Sequence, residues 1–230
     1  LTLVNKLNPV CLKWPSGEIN NVQLLKQAAK TQKPVILSTG MGSLAEVATA
    51  LDILSGNGCE EIAILQCVSN YPASIEEQNL RTIPNMSAIF GRPTGLSDHT
   101  VGPYAAIAAR ALGMAILEKH FTLDKGMEGP DHAASSTPKE FKHLVEVLRS
   151  IETGLGSGIK GPALEEENVR KVARKSIVYQ NDLLKGSTLS EKDLTSKRPG
   201  TGVAPNWIDF FIGMKLQRNV SKNQMLKMED

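Results

Sequence analysis

No stretch of this 230-residue chain approaches the roughly 20 consecutive apolar residues that a membrane-crossing helix needs, and no signal-peptide pattern opens it. The expectation is a soluble, cytoplasmic protein with no membrane partner. Charge of one sign is missing too: 26 basic against 24 acidic residues leave a formal +2, so no general field draws nucleic acid or an anionic surface. Any anion must be held by local groups. Cysteine is sparse and odd in number. Cys11, Cys59 and Cys67 lack metal-type spacing, which excludes a disulfide framework and fits reduced thiols. The glycine-rich dinucleotide fingerprint is absent, which argues against the usual doubly wound cofactor domain. The chain also opens without methionine, at Leu1, and reaches strand-like sequence almost at once, as if cut from something longer.

What is present is an alternation. Val10–Trp14, Pro34–Leu37, Ile62–Leu65, a run ending in Gly95–Thr100, and Ile116–Phe121 read as five apolar strands. Helical segments separate them: Val22–Lys30 after the caps Asn20 and Asn21, a second opened by the capping box Ser43 to Glu46 and ended by Gly56, and a third from the box Ser74 to Glu77 toward Phe90. An amphipathic Pro103–Leu112 and a strong helix from Thr137-Pro138 to about Glu152 complete the set. Five β/α units in succession predict an α/β fold with a parallel sheet, doubly wound or part of an eight-stranded barrel. The glycine-rich run Gly154–Pro162 marks a boundary, giving a catalytic domain over 1–153, a linker over 154–172 and a compact β-rich module over 173–230. Short strands are expected there at Ser176–Tyr179 and Thr188-Leu189, with a small amphipathic patch at Trp207–Ile212.

Each strand of the first domain ends in polar groups: Lys13/Ser16/Glu18, Ser38/Thr39, Ser69/Tyr71, Ser97/His99 and Glu118/Lys119/His120. Parallel strands deliver their ends to one edge, so His99 and His120 face one pocket and supply half of a divalent metal site. Hydroxyls with a lysine on the same edge suit a phosphate. Glu18 reads equally as an acid/base group or as a first-turn residue favoured by the helix dipole. Lys119 alternates to the other side of its strand and reads as structural or solvated. The polar loop Thr122–Ser136 is long enough for a lid, with Asp131 and His132 as substrate contacts or loop anchors.

Lys13-Trp14-Pro15-Ser16-Gly17-Glu18, Ser38-Thr39-Gly40-Met41, Gln66-Cys67-Val68-Ser69-Asn70-Tyr71-Pro72, Ser97-Asp98-His99-Thr100, Glu118-Lys119-His120-Phe121-Thr122, Gly129-Pro130-Asp131-His132 and Lys197-Arg198-Pro199-Gly200 occur in the order and approximate spacing of a known family. The chain resembles the sialic acid synthases, with the legionaminic and pseudaminic acid synthases and the spore-coat polysaccharide enzymes, over nearly its whole length. The resemblance implies the last five units of a (β/α)8 barrel, followed by an antifreeze-like (SAF, β-clip) domain. It implies a domain-swapped homodimer that condenses phosphoenolpyruvate with N-acetylmannosamine or a related N-acetylated amino sugar, giving a nine-carbon acid and phosphate. By the same resemblance Lys13, Ser38 and Ser97 bind phosphoenolpyruvate, with Ser16, Ser69 and Tyr71 lining its pocket. His99 and His120 hold manganese or magnesium, Glu18 is the acid/base, Asp131 contacts sugar hydroxyls, and Arg198 reaches the N-acetyl group across the dimer.

One departure stands out. The family's first three barrel strands have no counterpart here, which implies a remnant of low stability and little activity when alone. A metal-dependent pyruvate aldolase, or a non-catalytic carbohydrate-binding or assembly subunit, remains an alternative at this level.

Overall fold

The computed structural model describes residues 6–230, which form two compact units, one reaching to Gly158 and the other spanning Ile159–Asp230. In the first, β1 (Leu12–Trp14), β2 (Val35–Ser38), β3 (Ile62–Cys67), β4 (Thr94–Asp98) and β5 (Leu117–Lys119) pair in sequence order. Every pairing is parallel. The sheet curls as part of a (β/α)8 barrel, as expected, rather than lying open and doubly wound. Central strands are buried on both faces, so β3 reads as an unbroken apolar run until its polar tip.

The helices are α1 (Val22–Ala29), α2 (Leu44–Gly56), α3 (Thr82–Phe90), α4 (Tyr104–Ala111) and α5 (Pro138–Leu155). Asn21 caps α1 by accepting from the Leu24 N–H. Reciprocal boxes open α2 at Ser43/Glu46 and α5 at Thr137/Glu140, where Pro138 takes the first position and spares an unpaired donor. Alanines at 28, 29, 50, 105, 106 and 109 are buried, which lets the helices lie close to the sheet. Gly95 does the same inside β4: a Cβ there would sit 2.2 Å from the Ile116 carbonyl oxygen.

The expected box at Ser74 opens no helix. Instead the Ser74 carbonyl accepts the side-chain amide of Gln78 and the chain turns until Thr82. Local hydrogen bonding of this kind competes with helix initiation, so a matching four-residue pattern is not sufficient.

The second unit begins with α6 (Glu166–Ala173), within sequence that reads as linker. Its acidic start and basic end complement the helix dipole, a signal that glycine-rich neighbours obscured. Antiparallel β6 (Ser176–Tyr179) and β7 (Leu194–Lys197) follow, the latter unforeseen, then the short α7 (Ile208–Phe211). Thr188 makes only an isolated bridge, to Lys215. Ile177, Tyr179, Leu189, Leu194, Phe211, Leu216, Val220 and Leu226 build a separate core.

The Tyr179 hydroxyl donates to Asp230 Oδ2 at 3.1 Å beneath this core. Burial, followed by the Asp230 carboxylate, raises its pKa well above the ordinary 10.0. The folded state therefore keeps this proton to higher pH than the unfolded chain does. Stability is unaffected below about pH 10 and declines as pH rises toward the folded value. Thermal midpoints followed from about pH 9 to 12 should fall for the wild type, and Tyr179→Phe should reduce the slope. Equal slopes would show that this phenol is not responsible.

Candidate active site

All five tips meet on one edge. There a cavity of about 340 Å³ is lined by Lys13, Ser16, Ser38, Cys67, Ser69, Tyr71, Ser97, His99 and Glu118, together with Pro15, Gly17 and Met41. Ser38 is 2% exposed, yet its Oγ has no hydrogen-bond partner among the described residues. A buried hydroxyl left unpaired is costly, and the cost is removed when a ligand atom meets it. Ser16 Oγ accepts the Gly40 N–H at 2.9 Å and donates to Cys67 Sγ at 3.5 Å. Gly40 packs against three of these side chains: an added Cβ would lie 2.3 Å from Ser69 Oγ and 2.9 Å from both Cys67 Sγ and Ser16 Oγ.

Charge in the cavity is paired. Lys13 Nζ lies 3.2 Å from Glu118 Oε2, while Glu118 Oε1 accepts from Ser97 Oγ at 2.8 Å. The lysine is thereby held in place by a carboxylate.

The two histidines face each other, with ring centroids 5.2 Å apart in an edge arrangement. Tyr71 stacks beside both, at 4.2 Å from His99 and 5.2 Å from His120. His99 Nδ1 donates to the Val68 carbonyl at 2.7 Å, which turns Nε2 toward the cavity, 3.4 Å from Ser97 Oγ. His120 Nδ1 lies 3.8 Å from Asp131 Oδ2, and both residues line a small cleft with Tyr71, His99 and Pro130. The loop carrying Asp131 is closed by paired backbone bonds between Thr122 and Ser136 and between Ser136 and His120. Thr122 Oγ1 and His132 Nδ1, 2.7 Å apart, tie its interior together, so His132 serves as a loop anchor.

Not every expected residue joins the cavity. Glu18 lies outside its lining, one position beyond Gly17, and its Oε2 accepts from Asn21 Nδ2 at 2.6 Å. Arg198 belongs to the second unit, where its Nε donates to the Ala173 carbonyl at 2.9 Å.

Residues 1–160 match the model of the NeuB family, and residues 174–230 match the SAF domain. The chain belongs to the NeuB family. Among its relatives, the N,N'-diacetyllegionaminic acid synthase of Legionella pneumophila is 44% identical over 222 residues, covering 95% of this chain and 62% of its own. Human N-acetylneuraminate-9-phosphate synthase is 34% identical, covering 98% of this chain and 63% of its own. The crystal structure of the spore coat polysaccharide biosynthesis protein SpsE of Bacillus subtilis superposes with a TM-score of 0.64 at 32% identity, over 100% of this chain and 69% of that one. This NeuB chain thus spans a little under two thirds of the length of the two synthases.

Two cavity residues of the NeuB chain carried no assigned role in the sequence, Cys67 and Glu118. Burial pushes the Cys67 thiol up, but hydrogen bonding from His99 and Ser16, with the His99 charge, outweighs it and brings the thiol to about 7. Burial likewise pulls His99 down, while its bonds to Cys67 and the Val68 carbonyl and the nearby Glu118 raise it above its ordinary value. Of the two contacts at Nδ1, the 2.7 Å bond to Val68 is the stronger, because Cys67 Sγ lies at 4.0 Å. The available signal was strand register: Glu118 is the β5 partner of Ser97, which already reads as a site residue.

Gly40→Ala forces three short side chains to move in a buried place, and a loss of about 1–3 kcal/mol is expected in urea denaturation. An unchanged midpoint would show that Ser69, Cys67 and Ser16 yield without strain.

Proposed function

We propose that this site condenses phosphoenolpyruvate and water with N-acetylmannosamine or a related N-acetylated amino sugar, forming a nine-carbon 2-keto acid and releasing phosphate. The unpartnered Ser38 hydroxyl carries this reading. It stands buried in a cavity where Ser16, Ser69, Ser97 and Lys13 also converge, a donor set suited to a phosphate or carboxylate and placed beside two imidazoles. The relatives named as synthases of such acids support the same chemistry.

The residues also fit a divalent cation, manganese or magnesium. His99 presents Nε2 because its other nitrogen is engaged by a backbone carbonyl, the usual arrangement behind a ligating imidazole, and His120 stands beside it. No group of three or more His, Cys, Asp or Glu side chains suited to a metal occurs among the described residues, so these two would share the ion with substrate or water oxygens. When bound there, such a cation supplies Lewis-acid polarisation of the sugar aldehyde.

The chain's own groups do the rest. Lys13 and the serines hold the phosphate against its own charge and orient the enol carbon toward the aldehyde. Glu118 releases part of its hold on Lys13 as the phosphate arrives. Asp131, beside His120, contacts sugar hydroxyls. Glu18 acts as acid/base only after leaving Asn21. Arg198 contacts the N-acetyl group within a domain-swapped homodimer, a part of the proposal that rests on the family likeness.

Ser38→Ala should weaken phosphoenolpyruvate binding about tenfold in calorimetric titration, as expected for losing one hydrogen bond to a charged group. Equal affinities would remove the observation on which the reading stands. His99→Ala and His120→Ala should each abolish manganese retention, followed by the free-ion EPR signal, with the circular dichroism unchanged; retained manganese would remove them as ligands.

A further inference from the structure

β5 is a strand of three residues, nowhere fully buried, and it carries His120 at its end. Backbone pairing alone holds such a strand weakly, yet two side-chain links tie it to β4. On the cavity face, Ser97 bonds to Glu118. On the opposite face, one residue further along both strands, Lys119 Nζ meets Asp98 Oδ2 at 2.8 Å. These side chains are 2% and 0% exposed. Lys119 also donates to the Thr100 carbonyl at 2.7 Å, and Asp98 Oδ1 accepts from the Thr100 N–H at 2.9 Å and its hydroxyl at 2.7 Å.

A buried ion pair is poor value as a source of stability, because desolvating both charges offsets their attraction, and apolar replacements often do as well. What distinguishes this pair is its location. Asp98 and Thr100 flank His99, and Lys119 immediately precedes His120. The pair and the Thr100 bonds therefore join the backbones on both sides of the two imidazoles.

We propose that Asp98 and Lys119 are positioning residues, whose mutual ion pair, together with their hydrogen bonds to Thr100, clamps the tips of β4 and β5 and sets the separation of His99 from His120. His99 has a second restraint in a 2.7 Å bond to the Val68 carbonyl, whereas the His120 ring has the Tyr71 and His99 rings beside it and the more distant Asp131 carboxylate at 3.8 Å. Loss of the clamp therefore releases His120 more than His99. The clamp deepens the proposed function and rests on it only for the metal measurement below.

The test uses the whole chain with histidine and tyrosine rings labelled, without metal, and follows NMR cross-peaks from Tyr71 to each imidazole. In Asp98→Asn/Lys119→Met, which leaves net charge and the Thr100 acceptor in place, the Tyr71–His120 cross-peak should fall several-fold while Tyr71–His99 persists. Leu54→Ala on α2, a core truncation, serves as a destabilised control and should keep both. A Tyr71–His120 cross-peak of wild-type intensity in the double variant, or its equal loss in the control, overturns the clamp. If the double variant does not fold, Thr100→Val removes a single hydroxyl and should weaken the same cross-peak; wild-type intensity there overturns the proposal as well.

With manganese added, the double variant should bind on the order of 10–100-fold more weakly, the range for residues that orient metal ligands. Unchanged affinity overturns the clamp. A wild-type chain that binds no manganese but shows the expected cross-peak pattern supports the clamp and sinks the metal reading instead.

Discussion

Parallel pairing of five strands in sequence order is the constraint on which the site depends. Because each strand runs the same way and is followed by a helix that returns the chain, all five polar tips arrive on one edge. Groups separated by more than a hundred positions, Lys13 and Glu118, come within 3.2 Å. No single strand contains a site. The sheet assembles one from endings that are each unremarkable.

Within that edge, electrostatics and hydrogen bonding divide the work. Lysine and carboxylate pair within the cavity, and the buried Ser38 hydroxyl has no hydrogen-bond partner among the described residues. Beside them a backbone carbonyl holds the His99 ring, while the His120 ring lies 3.8 Å from the Asp131 carboxylate. The smallest residue is equally necessary. Gly40 leaves the volume into which Ser16, Cys67 and Ser69 converge, a place that any side chain at this position would fill.

Much of the architecture was legible because its signals are local. Apolar runs closed by polar residues located every strand of the sheet, and the boxes at Ser43 and Thr137 located two helices, since capping is decided within four residues. The box at Ser74 failed for the converse reason: Gln78 offered the backbone a competing partner, and nothing in four residues reveals that. In the second unit, β7 went unseen because Leu194–Lys197 has one buried residue and no clear alternation. It becomes a strand only by pairing with β6.

Residue types and order by themselves determined that a set of hydroxyls with a lysine and a pair of histidines lie on one edge of a parallel sheet, because side-chain chemistry and strand direction follow from sequence. Which groups actually touch was decided only by the tertiary structure. Glu18 turned to Asn21 instead of the cavity, Glu118 and Cys67 entered it, and Lys119, readable as structural or solvated, became half of a buried pair with Asp98. Such outcomes depend on register and curl, where a shift of one residue moves a side chain to the opposite face, and no local pattern encodes them.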